Sequence, residues 1–116
     1  MDLITELNKL GVNTDEALAR FMNNSALYVK MLGKFPAAVK DADVPEHFKA
    51  KNYDTAVSTA HTLKGVTGNL SLTPLFKAYT DIVALLRAGE PDKAEAILEE
   101  ILPTQEKIIA CIESHS

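Results

Sequence analysis

The 116-residue chain has one cysteine and no tryptophan, and it contains only five glycines and five prolines. A single cysteine, Cys111, excludes a disulfide framework and a cysteine-rich metal site, and we interpret it as a small buried apolar residue. Every uninterrupted apolar run is too short to span a membrane, and residues 1–6 lack the basic-then-apolar layout of a secretory signal. We therefore expect a cytoplasmic domain that makes no contact with a membrane.

Neither sign of charge is in strong excess. Sixteen acidic residues against twelve basic ones give a net charge of −4, without a basic stripe that could follow a phosphate backbone. Nucleic acid is therefore excluded as an expected partner. The apolar fraction of 47% is sufficient for one buried core at this length, so residues 1–116 are expected to form a single domain.

The glycines and prolines fall mostly between stretches whose apolar residues recur at helical spacing, without an alternating strand pattern. The sequence therefore predicts an all-α fold. The predicted helices cover residues 2–10, a segment capped by Asn13 or Thr14, residues 24–40, 45–51, 53–70 and 73–88, and one kinked helix from Pro91 that continues in phase across Pro103. Short connections between four principal helices predict an antiparallel up-down four-helix bundle with short additional N-terminal helices.

The predicted helix over residues 53–70 has one apolar face and one unusual polar face. The apolar residues cluster within about 80° of one another around the helix axis. They are Ala56, Ala60, Leu63, Thr67 and Leu70. His61 points roughly 150° away from this cluster and is expected to be exposed. Lys64, Gly65 and Gly68 fall within about 60° of His61 on the same face, one and two turns further along.

The two glycines on this face have an energetic cost. Glycine in an exposed helix interior costs about 1 kcal/mol relative to alanine, so the pair costs about 2 kcal/mol. An end of the helix at Gly65 is the alternative explanation, but Leu63, Thr67 and Leu70 continue the buried stripe through both glycines. We interpret the missing side chains as room for the backbone or a loop of another protein beside His61.

The combination of His61 and Lys64 suits a phosphoryl acceptor. Near pH 7 a neutral imidazole has an unprotonated ring nitrogen and is a competent nucleophile. The flexible ammonium of Lys64, three residues on, reaches the phosphoryl oxygens and offsets their charge. Val57, one turn before His61 and off the apolar face, is a candidate contact for a docking partner, although a valine at the edge of the core is the commoner case.

The stretch AHTLKGVTGNL, residues 60–70, closely resembles the signature of histidine-containing phosphotransfer (HPt) domains of bacterial multistep phosphorelays. The resemblance implies a four-helix bundle with an exposed active histidine on its second helix. It assigns phosphoryl acceptance and donation to His61 and phosphoryl pairing to Lys64, and it makes Gly65 and Gly68 the small residues that clear the approach. The family often carries a further glycine where this chain has Ser71.

The resemblance also implies the partners. These are receiver domains of a hybrid sensor histidine kinase or of a response regulator, whose own aspartate and bound Mg²⁺ carry out the transfer. The sequence has no Walker-type phosphate loop and no carboxylate cluster for magnesium. We therefore expect a carrier that binds no cofactor and lacks kinase activity, either free-standing in the cytoplasm or as the cytoplasmic domain of a membrane-bound sensor kinase.

Two alternatives remain open. The first is an adaptor with an HPt-like fold that binds a signalling partner without being phosphorylated. The second is a metal- or haem-binding bundle, since histidines on bundle helices are common ligands. His47, His61 and His115 do not pair at helical spacing with another ligand directed into the core, so no metal site is expected.

Overall fold

All regular structure in residues 2–115, the part of the chain that the computed structural model describes, is α-helical. The helices are α1 (Leu3–Lys9), α2 (Thr14–Arg20), α3 (Ser25–Leu32), α4 (Phe35–Ala42), α5 (Val44–Lys49), α6 (Tyr53–Asn69), α7 (Thr73–Arg87) and α8 (Pro91–Ser114). The predicted all-α class is therefore confirmed. Buried residues from α1 through α8 form one hydrophobic cluster. None of the helices in the described range is long and apolar enough to cross a membrane.

The prediction of a single helix over residues 24–40 is wrong, because the segment forms α3 and α4. Pro36 lies at the start of α4. Its ring would clash with the carbonyl of Leu32 in a continuous helix, and it has no N–H to donate there. The break leaves Tyr28, Leu32 and Phe35 fully buried, whereas Leu27 is 39% exposed.

The last helix, in contrast, continues through its internal proline. α8 runs from Pro91 to Ser114 with Pro103 inside it, which confirms the prediction of one helix. Two residues after this proline, the buried side chain of Gln105 accepts a hydrogen bond from the hydroxyl of Tyr79 in α7. Burial raises the pKa of Tyr79 to about 12, so the hydroxyl stays a donor at neutral pH.

α6 is the helix that carries the predicted site. Asn52 caps it by accepting a hydrogen bond from the backbone N–H of Thr55. Its apolar face is buried as predicted, with Ala56, Ala60, Leu63 and Thr67 each at most 1% exposed. α7 makes the most extensive contact with α6, and α4 and α5 also pack against it. The opposite face is consequently left to solvent.

The turn after α6 depends on a residue in the left-handed conformation. Ser71 has φ of +53°. Its N–H donates to the carbonyl of Gly68 at 3.2 Å, and the N–H of Leu72 donates to that of Thr67 at 2.9 Å. These two bonds define a Schellman end, in which glycine is the usual left-handed residue. Ser71 therefore forms the turn that the resemblance would assign to a glycine.

A buried tyrosine fixes this turn to the N-terminal half of the chain. The hydroxyl of Tyr28 in α3 donates to the carbonyl oxygen of Leu70 at 2.8 Å. Burial raises the pKa of Tyr28 to about 12, which keeps the donor protonated. The position of the end of α6 is thus set by a bond from a residue 42 positions earlier.

Candidate functional site

An open depression of about 380 Å³ lies on the solvent face of α6. Its lining residues are Arg20, His61, Lys64, Gly65, Gly68, Asn69 and Phe76. Four of them are predicted site residues, and they share one concave surface. The others come from α2, from the last turn of α6 and from α7.

His61 and Lys64 form one end of this depression. The side chain of His61 is exposed in the middle of α6, and that of Lys64, one turn on, is half-buried. Residues three apart on a helix have Cβ atoms about 5–6 Å apart, which brings the ammonium within reach of a group attached to the imidazole. The depression therefore presents a nucleophilic nitrogen beside a cation.

Val57 lies outside the depression. It is half-buried and packs against the hydrophobic core. The Val57 side chain is therefore not fully exposed to a docking partner. Its partial burial fits the alternative interpretation, a valine at the edge of the core.

The two glycines differ in what surrounds them. A Cβ added to Gly65 would meet nothing within 4 Å, so this position is open space beside His61. A Cβ added to Gly68 would lie 3.0 Å from two ring carbons of Phe76. Gly65 leaves room for another molecule, whereas Gly68 makes room for an aromatic ring of its own chain.

Phe76 of α7 lines the depression where its ring packs over Gly68. It follows the buried Leu75 at the start of α7, and 38% of its surface is exposed. An exposed phenylalanine beside a core position is a signal that sequence reasoning could have used, because its face on the helix differs from that of the apolar stripe. Phe76 was not among the residues predicted for the site.

Arg20 forms the other end of the depression and was also missed. Its Nη1 donates to the carbonyl of Asn69 and to Oγ of Ser71, both at 2.9 Å, and its Nη2 donates to Oε1 of Glu16 at 3.3 Å. The Ser71 hydroxyl in turn donates to Glu16 at 2.7 Å. The hydrogen bonds from Ser71 and then Arg20 hold the pKa of Glu16 below its ordinary value. Arg20 thus places a cation at the C-terminal end of α6, where the helix dipole favours one.

The side chains that line the depression suit an anion better than a metal ion. Lys64 and Arg20 both line it, although Arg20 is paired with Glu16, and no carboxylate or thiol from the described residues lines it. His61 is the lone imidazole among those lining residues. These side chains are therefore better suited to an anion than to a metal ion.

Replacing Arg20 with alanine tests its role at the end of α6. The variant loses the bonds to Asn69, Ser71 and Glu16, so we expect the free energy of unfolding to fall by about 1–2 kcal/mol. Arg87→Ala, at an exposed position in the last turn of α7, is the matched control and should change it by less than about 0.5 kcal/mol. Denaturant unfolding measures both, and equal stability of the two variants would contradict the role of Arg20.

No protein-family model matches the chain, and neither does any curated protein or solved structure. The case for a function therefore rests on the residues of the depression.

Proposed function

We propose that the chain is a histidine phosphotransfer carrier, which accepts a phosphoryl group on His61 from the aspartate of one receiver domain and delivers it to another in a two-component phosphorelay. The observation that carries the proposal is that His61, Lys64, Gly65 and Gly68 line one open depression. An exposed imidazole, an adjacent ammonium and an unobstructed approach are what such a carrier needs.

We also propose the up-down four-helix arrangement that the family resemblance implies. The helix contacts support it, because α6 packs against α7, α7 against α8, and α4 against both α6 and α8. Four helices that contact their neighbours in this cyclic order form a bundle. The remaining short helices would then be additions to it.

The transfer would proceed by attack of a neutral His61 ring nitrogen on the phosphorus of the partner's aspartyl phosphate. A nitrogen–phosphorus bond forms as the bond from phosphorus to the carboxylate oxygen breaks, and the carboxylate leaves with the electron pair. Delivery to the next aspartate is the reverse reaction. The Mg²⁺ expected in the receiver domain would neutralise charge on the phosphoryl oxygens during both steps.

Lys64 rather than Arg20 would pair with the phosphoryl group. Lys64 is one turn from His61, whereas Arg20 is bonded to Asn69, eight residues further along the helix. At about 1.5 Å per residue, this places Arg20 about 12 Å from His61 along the axis. Arg20 is therefore too far for direct pairing and would contribute to the shape and charge of the docking surface.

An adaptor that binds a signalling partner without phosphorylation is the second candidate. The exposed ring of Phe76 favours it, because an aromatic side chain in a depression suits partner binding with or without phosphate. A complex with a receiver domain that forms while no acid-labile phosphate appears on the chain would select the adaptor.

Substitution of His61 by glutamine tests the carrier directly. The variant should lose all acid-labile phosphate after incubation with a phosphorylated receiver domain and Mg²⁺, while circular dichroism and denaturant unfolding remain unchanged, because the side chain is exposed. His47→Gln, in the last turn of α5, is the control and should accept phosphate normally. Normal phosphorylation of the His61 variant would refute the proposed acceptor.

Substitution of Lys64 by alanine tests the pairing cation. Charge-assisted hydrogen bonds contribute about 1.5–3 kcal/mol, so we expect the transfer rate or the phosphohistidine lifetime to fall about 10-fold or more. Lys77→Ala, at an exposed position on α7 outside the depression, should leave both unchanged. Time courses of phosphorylation and hydrolysis measure the two quantities, and wild-type values for the Lys64 variant would remove its role.

Substitution of Gly65 by alanine distinguishes an effect on stability from an effect on the approach of the partner to His61. The new methyl group meets nothing in the chain and improves helix propensity, so the free energy of unfolding should rise by up to about 1 kcal/mol. The transfer rate should nevertheless fall, because the methyl group occupies the space beside His61. Thr62→Ala, at an exposed position of α6 outside the depression, should keep the wild-type rate. A more stable Gly65 variant with an unchanged rate would show that the partner does not use this space.

A further inference from the structure

Three side chains with metal-ligating atoms meet where α1 packs against α8, on a surface separate from the depression. They are Glu6 of α1 and Cys111 and His115 at the end of α8. One ligand atom from each lies within 4.8 Å of the other two. Cys111 and His115 are four residues apart and so share one face of the helix turn, and the packing of α1 against α8 brings Glu6 to them.

The two distances from Glu6 are close to those between ligands of a tetrahedral ion. Oε2 of Glu6 lies 3.3 Å from Sγ of Cys111 and 3.6 Å from Nε2 of His115. Zinc bonds of about 2.0 Å to oxygen and nitrogen and about 2.3 Å to sulfur, at tetrahedral angles, separate such ligand atoms by roughly 3.3–3.5 Å. These two separations therefore need to change by only a few tenths of an ångström to hold an ion.

The imidazole of His115 has the orientation of a ligand. Its Nδ1 lies 2.9 Å from the carbonyl oxygen of Cys111 and 3.1 Å from Oγ of Ser114. With Nδ1–H donating to the carbonyl, Nε2, which lies 3.6 Å from Oε2 of Glu6, is the ring nitrogen that can bind a metal in place of a proton. Histidines that bind metals usually hold their second nitrogen in this way.

We propose that Glu6, Cys111 and His115 bind a zinc-class divalent cation, with water as a fourth ligand, and that this ion fastens α1 to α8. A thiolate and an imidazole select zinc-class ions over magnesium and calcium. The carboxylate and the thiolate together balance the charge of the ion. The expectation that His115 has no ligand at helical spacing overlooked Cys111, four residues before it and only partly buried, and the third ligand, Glu6, is 105 residues from Cys111 in the sequence.

Binding requires the loss of one proton. Without metal the Cys111 thiol donates to Oε2 of Glu6 at 3.3 Å. The proton leaves to solvent as the sulfur–metal bond forms. Lys9 and Lys107 line the adjacent surface, and the thiolate supplies one of the two negative charges that offset the charge of the ion.

Cobalt(II) titration of the reduced, full 116-residue chain tests the site. We expect thiolate-to-cobalt charge-transfer absorption that saturates at one equivalent and disappears on addition of zinc. Zinc should also raise the melting temperature of the chain. Cys111→Ser should lose the absorption and bind zinc at least 10-fold more weakly, and zinc should no longer raise its melting temperature.

Two further variants distinguish a specific site from nonspecific zinc binding. Glu6→Gln should weaken zinc binding and retain a thiolate absorption band with an altered spectrum, even if Cys111→Ser proves poorly folded by circular dichroism. His47→Gln, on α5, should behave as the wild type. No charge-transfer band, or equal zinc binding by the wild type and the folded Cys111→Ser and Glu6→Gln variants, would mean adventitious surface binding and overturn the proposal.

Discussion

The burial of one face of α6 is the constraint on which the candidate site depends. Ala56 and Ala60 are fully buried, and Thr67 is buried with its hydroxyl bonded to the carbonyl of Leu63 at 2.7 Å. α7 covers much of this face. Because a helix has a fixed angular period, commitment of these residues to the core directs His61 to solvent. The exposure of the histidine is therefore a consequence of core packing.

The end of α6 explains how the short N-terminal helices shape the depression. Ser71 must adopt a left-handed conformation, which costs a non-glycine residue about 1 kcal/mol or more. Its hydroxyl compensates by bonding to Glu16 and accepting from Arg20, and Tyr28 holds the adjacent carbonyl. The same bonds that stabilise the turn hold Arg20 at the edge of the depression. The left-handed turn and the position of Arg20 therefore depend on one set of hydrogen bonds.

Local periodicity predicted the all-α class, the buried face of α6 and the exposure of His61, because all three depend on residues within a few turns of one another. Local periodicity does not predict contacts between residues far apart in the sequence. Arg20 donates to Asn69 across 49 positions, and no local pattern reveals that pairing. The two glycines look equivalent in sequence, yet only Gly68 lies beneath Phe76. Pro36 lies at the start of α4 whereas Pro103 lies inside α8, so the local rule for proline does not by itself predict which helix breaks.

A carrier of this kind would supply the nucleophile, an adjacent cation and room for the partner. The receiver domain would supply the aspartate and Mg²⁺. The most direct measurement is ³¹P NMR at neutral pH of the wild-type chain after incubation with a phosphorylated receiver domain and Mg²⁺, with the site mapped by mass spectrometry. We expect one phosphohistidine resonance, lost on acidification, and one phosphorylated peptide carrying His61. Phosphorylation of a residue other than His61 would contradict the carrier proposal. So would an unphosphorylated chain in a sample in which the receiver domain has lost its phosphoryl group only by hydrolysis.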